Sequence, residues 1–281
     1  MRNKFAMLAV TAALLCLFVC AAWAGPAVNK VYAGNVDSFI KAIKSNTTIV
    51  LKPGTYNISE WLNNENNKIT LAEGEHFVDT HTGIAKDSVH DGVQLDIYGL
   101  ENLSIVSEQA KDPARIVCEP RYAQVLYFAR CKNIRLENVV MGHTPEKGHC
   151  SGNVLSLFKC SGVSVKGADL YGCGAYGLEI GRCEDVKIEG CKVHDCTYGC
   201  AMIYDTNMTI ADSSFYDCKE FTMFELSNSQ VNFNKCSFRN LQGGFVAPIE
   251  SKAVFSGCSF DAKTKEEVFD NIEYGKNIFV K

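Results

Sequence analysis

Glu179 and Glu225 are the first places to look for chemistry. Each sits in the middle of an apolar triplet, Leu178-Glu179-Ile180 and Phe224-Glu225-Leu226. Two carboxylates flanking a sugar linkage with room for a water between them are the equipment of glycoside hydrolysis. Arg182 follows Glu179 by three residues, and Lys159 holds the matching position one repeat earlier. Such cations would bind or deprotonate an acidic sugar, the requirement of eliminative cleavage. Tyr127 and Tyr204 supply rings for stacking on a sugar, and Asp205 stands in the adjoining turn. The competing reading is a solvated strand face whose charges only maintain solubility.

These residues share one phase because the chain repeats. Asn133-Ile134-Arg135-Leu136, Gly162-Val163-Ser164-Val165, Asp185-Val186-Lys187-Ile188, Asn207-Met208-Thr209-Ile210, Gln230-Val231-Asn232-Phe233 and Lys252-Ala253-Val254-Phe255 align at steps of 22 or 23 residues, with one step of 29. A second alternating stretch follows each, as in Cys191-Lys192-Val193 and Cys236-Ser237-Phe238, and a third precedes it, as in Leu155-Ser156-Leu157 and Ala201-Met202-Ile203. Alternation with period two marks a strand with one buried face. Three short strands per coil predict an all-β parallel β-helix with Val163, Val186, Met208 and Val231 in one interior column. A leucine-rich repeat would need a leucine-and-asparagine consensus that is missing, and a propeller blade about twice the period. The outward positions of the third stretch are then Tyr127, Ser156, Glu179, Met202 and Glu225, which places Glu179 and Glu225 two coils, or about 9.6 Å, apart along the backbone.

Phe39, Ile40 and Ile43 share one helical face, predicting an N-terminal helix that caps the open end of the coil within residues 25–47. The coil itself is expected over 48–281, closed at its far end by Lys265–Phe269 and Asn277–Val280. Residues 1–24 read as a signal peptide: Arg2 and Lys4, an apolar run from Phe5 to Trp23, and Ala22-Trp23-Ala24 before Gly25. Its removal takes two positive charges and no negative ones, moving the formal net charge from −4 to −6. Nucleic acid is a poor partner for such a surface. The expected location is secreted, periplasmic or on the cell surface, with no transmembrane segment after cleavage.

Of the 14 cysteines, 12 lie beyond residue 24, and nine of these fall at three coil positions. Cys131, Cys160 and Cys183 share one, Cys191, Cys236 and Cys258 a second, and Cys173, Cys196 and Cys218 a third. Side chains stacked about 4.8 Å apart are poorly placed for disulfides, whose β-carbons need about 3.8 Å. The cysteines are expected to be reduced, small apolar fillers of tight corners, with Cys118, Cys150 and Cys200 outside the columns.

With the helix, the opening Ile49-Val50-Leu51-Lys52-Pro53-Gly54-Thr55-Tyr56 and the coil pattern in view, the chain over residues 36–281 resembles the secreted bacterial right-handed parallel β-helix repeat proteins of the pectate-lyase-like superfamily. The resemblance implies a right-handed coil and a groove for extracellular polysaccharide on one sheet face. It leaves the activity open, because fold does not imply function. The paired aspartates of polygalacturonases, the Asp-Pro-His-Glu run of alginate epimerases and the calcium-binding acidic cluster of pectate lyases are all missing. The site reading is therefore Glu179, Glu225 and Arg182 as catalytic, and Lys159, Tyr204, Asp205 and Tyr127 as substrate-binding, with no cofactor and no metal. The alternative is a non-catalytic adhesive or structural β-helix. Two loops are further candidates beside this face: an irregular insertion with His76, Asp79, His81, Asp87, His90 and Asp91, and the stretch from His143 through His149 to Cys150.

Overall fold

The computed structural model describes residues 28–74, 76–144, 152–172, 175–262 and 264, together with the backbone of 278–280. The predicted leader, His149, Cys150, Cys173 and Lys265–Phe269 lie outside the described residues. Among the described residues no helix is long and apolar enough to cross a membrane.

The chain winds into coils whose three strands per turn build three sheets of ten, eight and nine strands. Apart from one hairpin, every strand pairing is parallel, with like coil positions in register: Val163 on Val186, Val186 on Met208, and Met208 on Val231. All four side chains are buried, in the column that the repeat phase predicts. The core carries a phenylalanine stack toward its C-terminal end, with Phe215 on Phe238, Phe238 on Phe260 and Phe233 on Phe255.

Helix α1, Val36–Ala42, closes the first coil. The Asn35 side chain accepts from the Ser38 backbone N–H and Ser38 Oγ accepts from the Asn35 N–H, a reciprocal cap that starts the helix. Phe39, Ile40 and Ile43 are buried as their spacing requires. Helix α2, Ile58–Leu62, is tied to it by Trp61 Nε1 donating to Asp37 Oδ1 at 3.1 Å. Two strands extend the ten-stranded sheet past the coils. Asn29–Ala33, which has no period-two signal and was not expected to be a strand, pairs with Thr47–Leu51. At the other end, Ile278–Val280 pairs with Ala253–Phe255, where a cap was expected.

The cysteine columns have a cause beyond packing. Arg130, Lys159, Arg182, Asp205, Asn228 and Glu250 turn the same corner in the left-handed conformation, with φ between +47° and +55°. For residues other than glycine this costs about 1–2 kcal/mol each. The corner aims the next residue's N–H along the coil axis, where the following coil must supply an acceptor. Cys160 N–H donates to Cys183 Sγ at 3.3 Å, Cys183 N–H to Thr206 Oγ1 at 3.0 Å, Thr206 N–H to Ser229 Oγ at 3.0 Å and Ser229 N–H to Ser251 Oγ at 2.9 Å. Thiol and hydroxyl are thus interchangeable links in one chain. The same device recurs at the second corner, where Cys191 N–H donates to Ser213 Oγ and Cys236 N–H to Cys258 Sγ. Among the described residues Cys131, Cys160, Cys183, Cys191, Cys200, Cys218, Cys236 and Cys258 are free thiols, and every described cysteine but the half-buried Cys258 is buried. The filler role is therefore incomplete, since these side chains also hold the corner's hydrogen bonds.

The insertion expected to be irregular is ordered. It carries helix α3, Phe77–Thr80, and an antiparallel hairpin, Gly83–Val89 with Gly92–Tyr98. This is a departure from uniform coiling. Within Gly92–Tyr98, Leu95 and Ile97 enter the core while Gln94, Asp96 and Tyr98 take the opposite face, and the strand joins the nine-stranded sheet beside Leu126–Ala129.

Candidate functional site

The outer face of the nine-stranded sheet is set by register. One column runs Asp96, Tyr127, Ser156, Glu179, Met202, Glu225, Ala247, and its neighbour runs Tyr98, Ala129, Phe158, Gly181, Tyr204, Ser227, Ile249. Helix α3 covers the early part of the second column: Phe77 and Val78 pack against Tyr98, Ala129 and Phe158. Two cations from successive corners hold it down. Arg130 donates to the carbonyls of Val78 and His81, and Lys159 Nζ pairs with Asp79 at 3.0 Å. The Lys159 bond also holds the Asp79 carboxyl below the usual range.

Between this cover and the sheet lies a cavity of about 380 Å³, lined among others by Asp87, Asp96, Tyr98, Tyr127, Glu179 and Tyr204. Its two central carboxylates have unlike environments. Asp96 is 1% exposed, receiving hydrogen bonds from Tyr98 Oη at 2.6 Å and Gln94 Nε2 at 2.8 Å. Burial outweighs those bonds and pushes its pKa up to about 6. Glu179 instead takes two bonds on Oε2, from Asn153 Nδ2 at 2.7 Å and Ser156 Oγ at 2.9 Å. Tyr127 stands between them. Its phenol is raised first by burial and then by the charges of Asp96 and Glu179.

The remaining wall depends on a missing side chain. A Cβ on Gly181 would come within 2.0 Å of Tyr204 Cζ, so the Tyr204 ring lies over a position that only glycine leaves open. Arg182, at the next corner, pairs with Asp205 at 3.3 Å, and Asp205 also accepts from Asn228 at 2.8 Å. The Asn228 bond, and then Arg182, lower the Asp205 pKa. Arg182 and Lys159 also sit over the Phe158 ring, at 5.8 and 5.2 Å.

A model of the right-handed β-helix region matches residues 127–279, more than half of the chain. The chain belongs to the right-handed β-helix family. Among solved structures, the β-helix protein resembles the pectate lyase Pel9A at 14% identity and a TM-score of 0.45, over 83% of this chain and 64% of that one. It also resembles an alginate lyase from Paenibacillus sp. strain FPU-7 at 11% identity and a TM-score of 0.32, over 83% of this chain and 66% of the lyase. The β-helix protein thus spans less than two thirds of either structure. A search of curated proteins returns no match.

The structure therefore gathers Tyr127, Glu179 and Tyr204 at one cavity of this β-helix protein and sets the other candidates around it. Lys159 and Arg182 each bind a carboxylate at the rim. Glu225 lines a second depression, of about 520 Å³, with Met202, Tyr204, Asp205 and Ile249. The two glutamates thus stand on opposite sides of Tyr204. Asp96, Gln94 and Tyr98 escaped the sequence reading although Gln94-Leu95-Asp96-Ile97-Tyr98 alternates as the repeats do; the strand lies outside their phase.

Of the loop histidines, His81, His90 and His143 have structural partners. His81 stacks on Phe77 at 4.5 Å, His90 meets Tyr122 edge-on, and Asp91 accepts from the N–H groups of Arg121 and Tyr122. His143 is buried with Nε2 at 2.7 Å from the Ala123 carbonyl, and burial lowers its pKa. Among the described residues no group of three or more histidine, cysteine or acidic side chains is placed to hold a metal.

Proposed function

We propose that this chain is an exported β-helix protein that lays a glycan along its nine-stranded sheet and hydrolyses it at the cavity shared by Asp96 and Glu179. The observation that carries the reading is the unlike setting of two carboxylates in one cavity. A carboxyl buried to a pKa of about 6 is suited to give a proton to a leaving oxygen, while Glu179 is held in place by the hydrogen bonds it accepts from Asn153 and Ser156. Asp96 and Glu179 stand three coils apart in the column, about 14 Å along the backbone, and Glu179 Oε2 leans one coil back to Ser156; the spacing leaves room for a water, as inversion needs, and is too wide for the close pair of a retaining enzyme.

Eliminative cleavage has less support, because both cations it would use, Lys159 and Arg182, are engaged by Asp79 and Asp205. Glu225, with Met202 and Ile249 in the second depression, fits a role in holding the chain beyond the cleavage point. Export rests on the leader at residues 1–24, with the cap at 25–47 and the coil at 48–281. The test is to incubate the purified mature protein with a panel of neutral, basic and acidic polysaccharides. New reducing ends without ultraviolet absorbance support hydrolysis. Ultraviolet-absorbing products identify a lyase, and binding without cleavage identifies the adhesive alternative.

A further inference from the structure

The cavity's charge is one-sided. Asp87, Asp96 and Glu179 line it, and among the described residues no lysine or arginine does. The nearby cations are turned away from it: Arg130 to the carbonyls of Val78 and His81, Lys159 to Asp79, and Arg182 to Asp205.

The neutral part of the lining points the same way. Tyr98, Tyr127 and Tyr204 contribute aromatic rings, and rings beside carboxylates suit an ammonium group, which is drawn both to the negative ring face and to the acid. Gln124 adds an independent sign of an absent donor. Its Oε1 is shielded from solvent in the cavity wall and accepts no hydrogen bond, whereas the Gln94 side chain beside it is satisfied at both ends, by Gln124 N–H and by Asp96. A buried acceptor without a donor is costly, and rotation of the Gln124 amide toward the cavity it lines would let a ligand N–H satisfy it. A carboxylate-bearing sugar would instead bring like charge beside Asp87 and Glu179.

Resting on the glycan reading above, we infer that the cavity selects a sugar unit bearing a protonated amine, so that its substrates are basic glycans with free amino groups rather than uronic-acid polymers. The amine sits against the tyrosine rings in the field of Glu179, clear of Asp96. Asp87 adds to the field from the hairpin.

Affinities of four short oligosaccharides, measured by calorimetry at pH 7, decide the matter: a glucosamine oligomer, its N-acetylated form, a glucose oligomer and a galacturonate oligomer. The inference expects the glucosamine oligomer to bind at least tenfold more tightly than the N-acetylated and glucose forms, with galacturonate weakest. It also expects that margin to shrink severalfold in 1 M salt and in Asp87→Asn, whose melting temperature shows whether it is folded. Equal or tighter binding of galacturonate, or no margin over the neutral oligomers, overturns the amine preference and leaves the glycan reading standing. If none of the four binds, both fail.

Discussion

Replacing Cys183 separates a thiol that fills space from one that holds a corner together. Cys183 Sγ accepts from Cys160 N–H at 3.3 Å and donates to the Gly181 carbonyl at 3.2 Å, and both cysteines are buried. Cys183→Ala removes the acceptor and strands a buried N–H, a loss of about 1–3 kcal/mol. At this chain length each kcal/mol moves the melting temperature by about 2–4 °C, so the alanine variant should melt roughly 2–12 °C below wild type. Cys183→Ser keeps both bonds, as Thr206 and Ser229 do one and two coils on, and should stay within about 1 kcal/mol of wild type. Urea unfolding followed by tryptophan fluorescence and circular dichroism, in reductant, gives the three values. If alanine matched or exceeded serine in stability, apolar filling would suffice and the hydrogen-bonded corner would be refuted.

His194 is stacked between Tyr171 and Tyr216, with Nε2 and Nδ1 each 2.7 Å from a carboxylate, Asp169 and Asp195. Burial lowers its pKa, but the bonds to Asp169 and Asp195 prevail and raise it. The imidazolium's contribution, about 1–3 kcal/mol, is therefore present in full below the unfolded value near 6.5 and lost as pH rises through the higher folded value; the stability difference between wild type and His194→Gln should shrink over that rise, and a difference constant from pH 6 to 9 would exclude the charged form. Gly181→Ala should displace the Tyr204 ring, costing about 1–3 kcal/mol by overpacking and weakening glycan binding at least tenfold, which melting and calorimetry check together. Cys258, half-buried and lowered to about 7 chiefly by its bond with Cys236, should be the first of the described thiols to be carboxymethylated in the folded protein, as read by mass spectrometry.

The coil and its cap were legible because their information is local and repeated. Phe39, Ile40 and Ile43 recur at helical spacing, and Val163, Val186, Met208 and Val231 at coil spacing, so periodicity alone assigns their faces. The cysteine columns were visible, but their extension through Thr206, Ser229 and Ser251 was not. Hydropathy separates thiol from hydroxyl, and a left-handed corner needing an axial acceptor treats them alike. On the outward face, Tyr127, Glu179 and Tyr204 were found from phase. The partners that redefine the site come from outside the repeat. Asp79, which engages Lys159, is 80 residues away in the insertion, and Asp96 belongs to a hairpin with a period of its own. Charge at a coil position shows that a residue faces outward, and only tertiary structure shows whether a partner already occupies it.

The central claim is that Asp96 gives a proton in a hydrolysis for which Glu179 activates water. It is tested most directly by the pH dependence of kcat/KM for reducing-end release by wild type, Asp96→Asn and Glu179→Gln. Because Asp96 must be protonated to act and its pKa is raised to about 6, wild-type kcat/KM should fall as pH rises above about 6. Asp96→Asn should lose at least a hundredfold in rate together with that alkaline limb, and Glu179→Gln should be comparably slow with its melting temperature unchanged. Hydrolysis that persisted in Asp96→Asn with the alkaline limb intact would contradict the assignment.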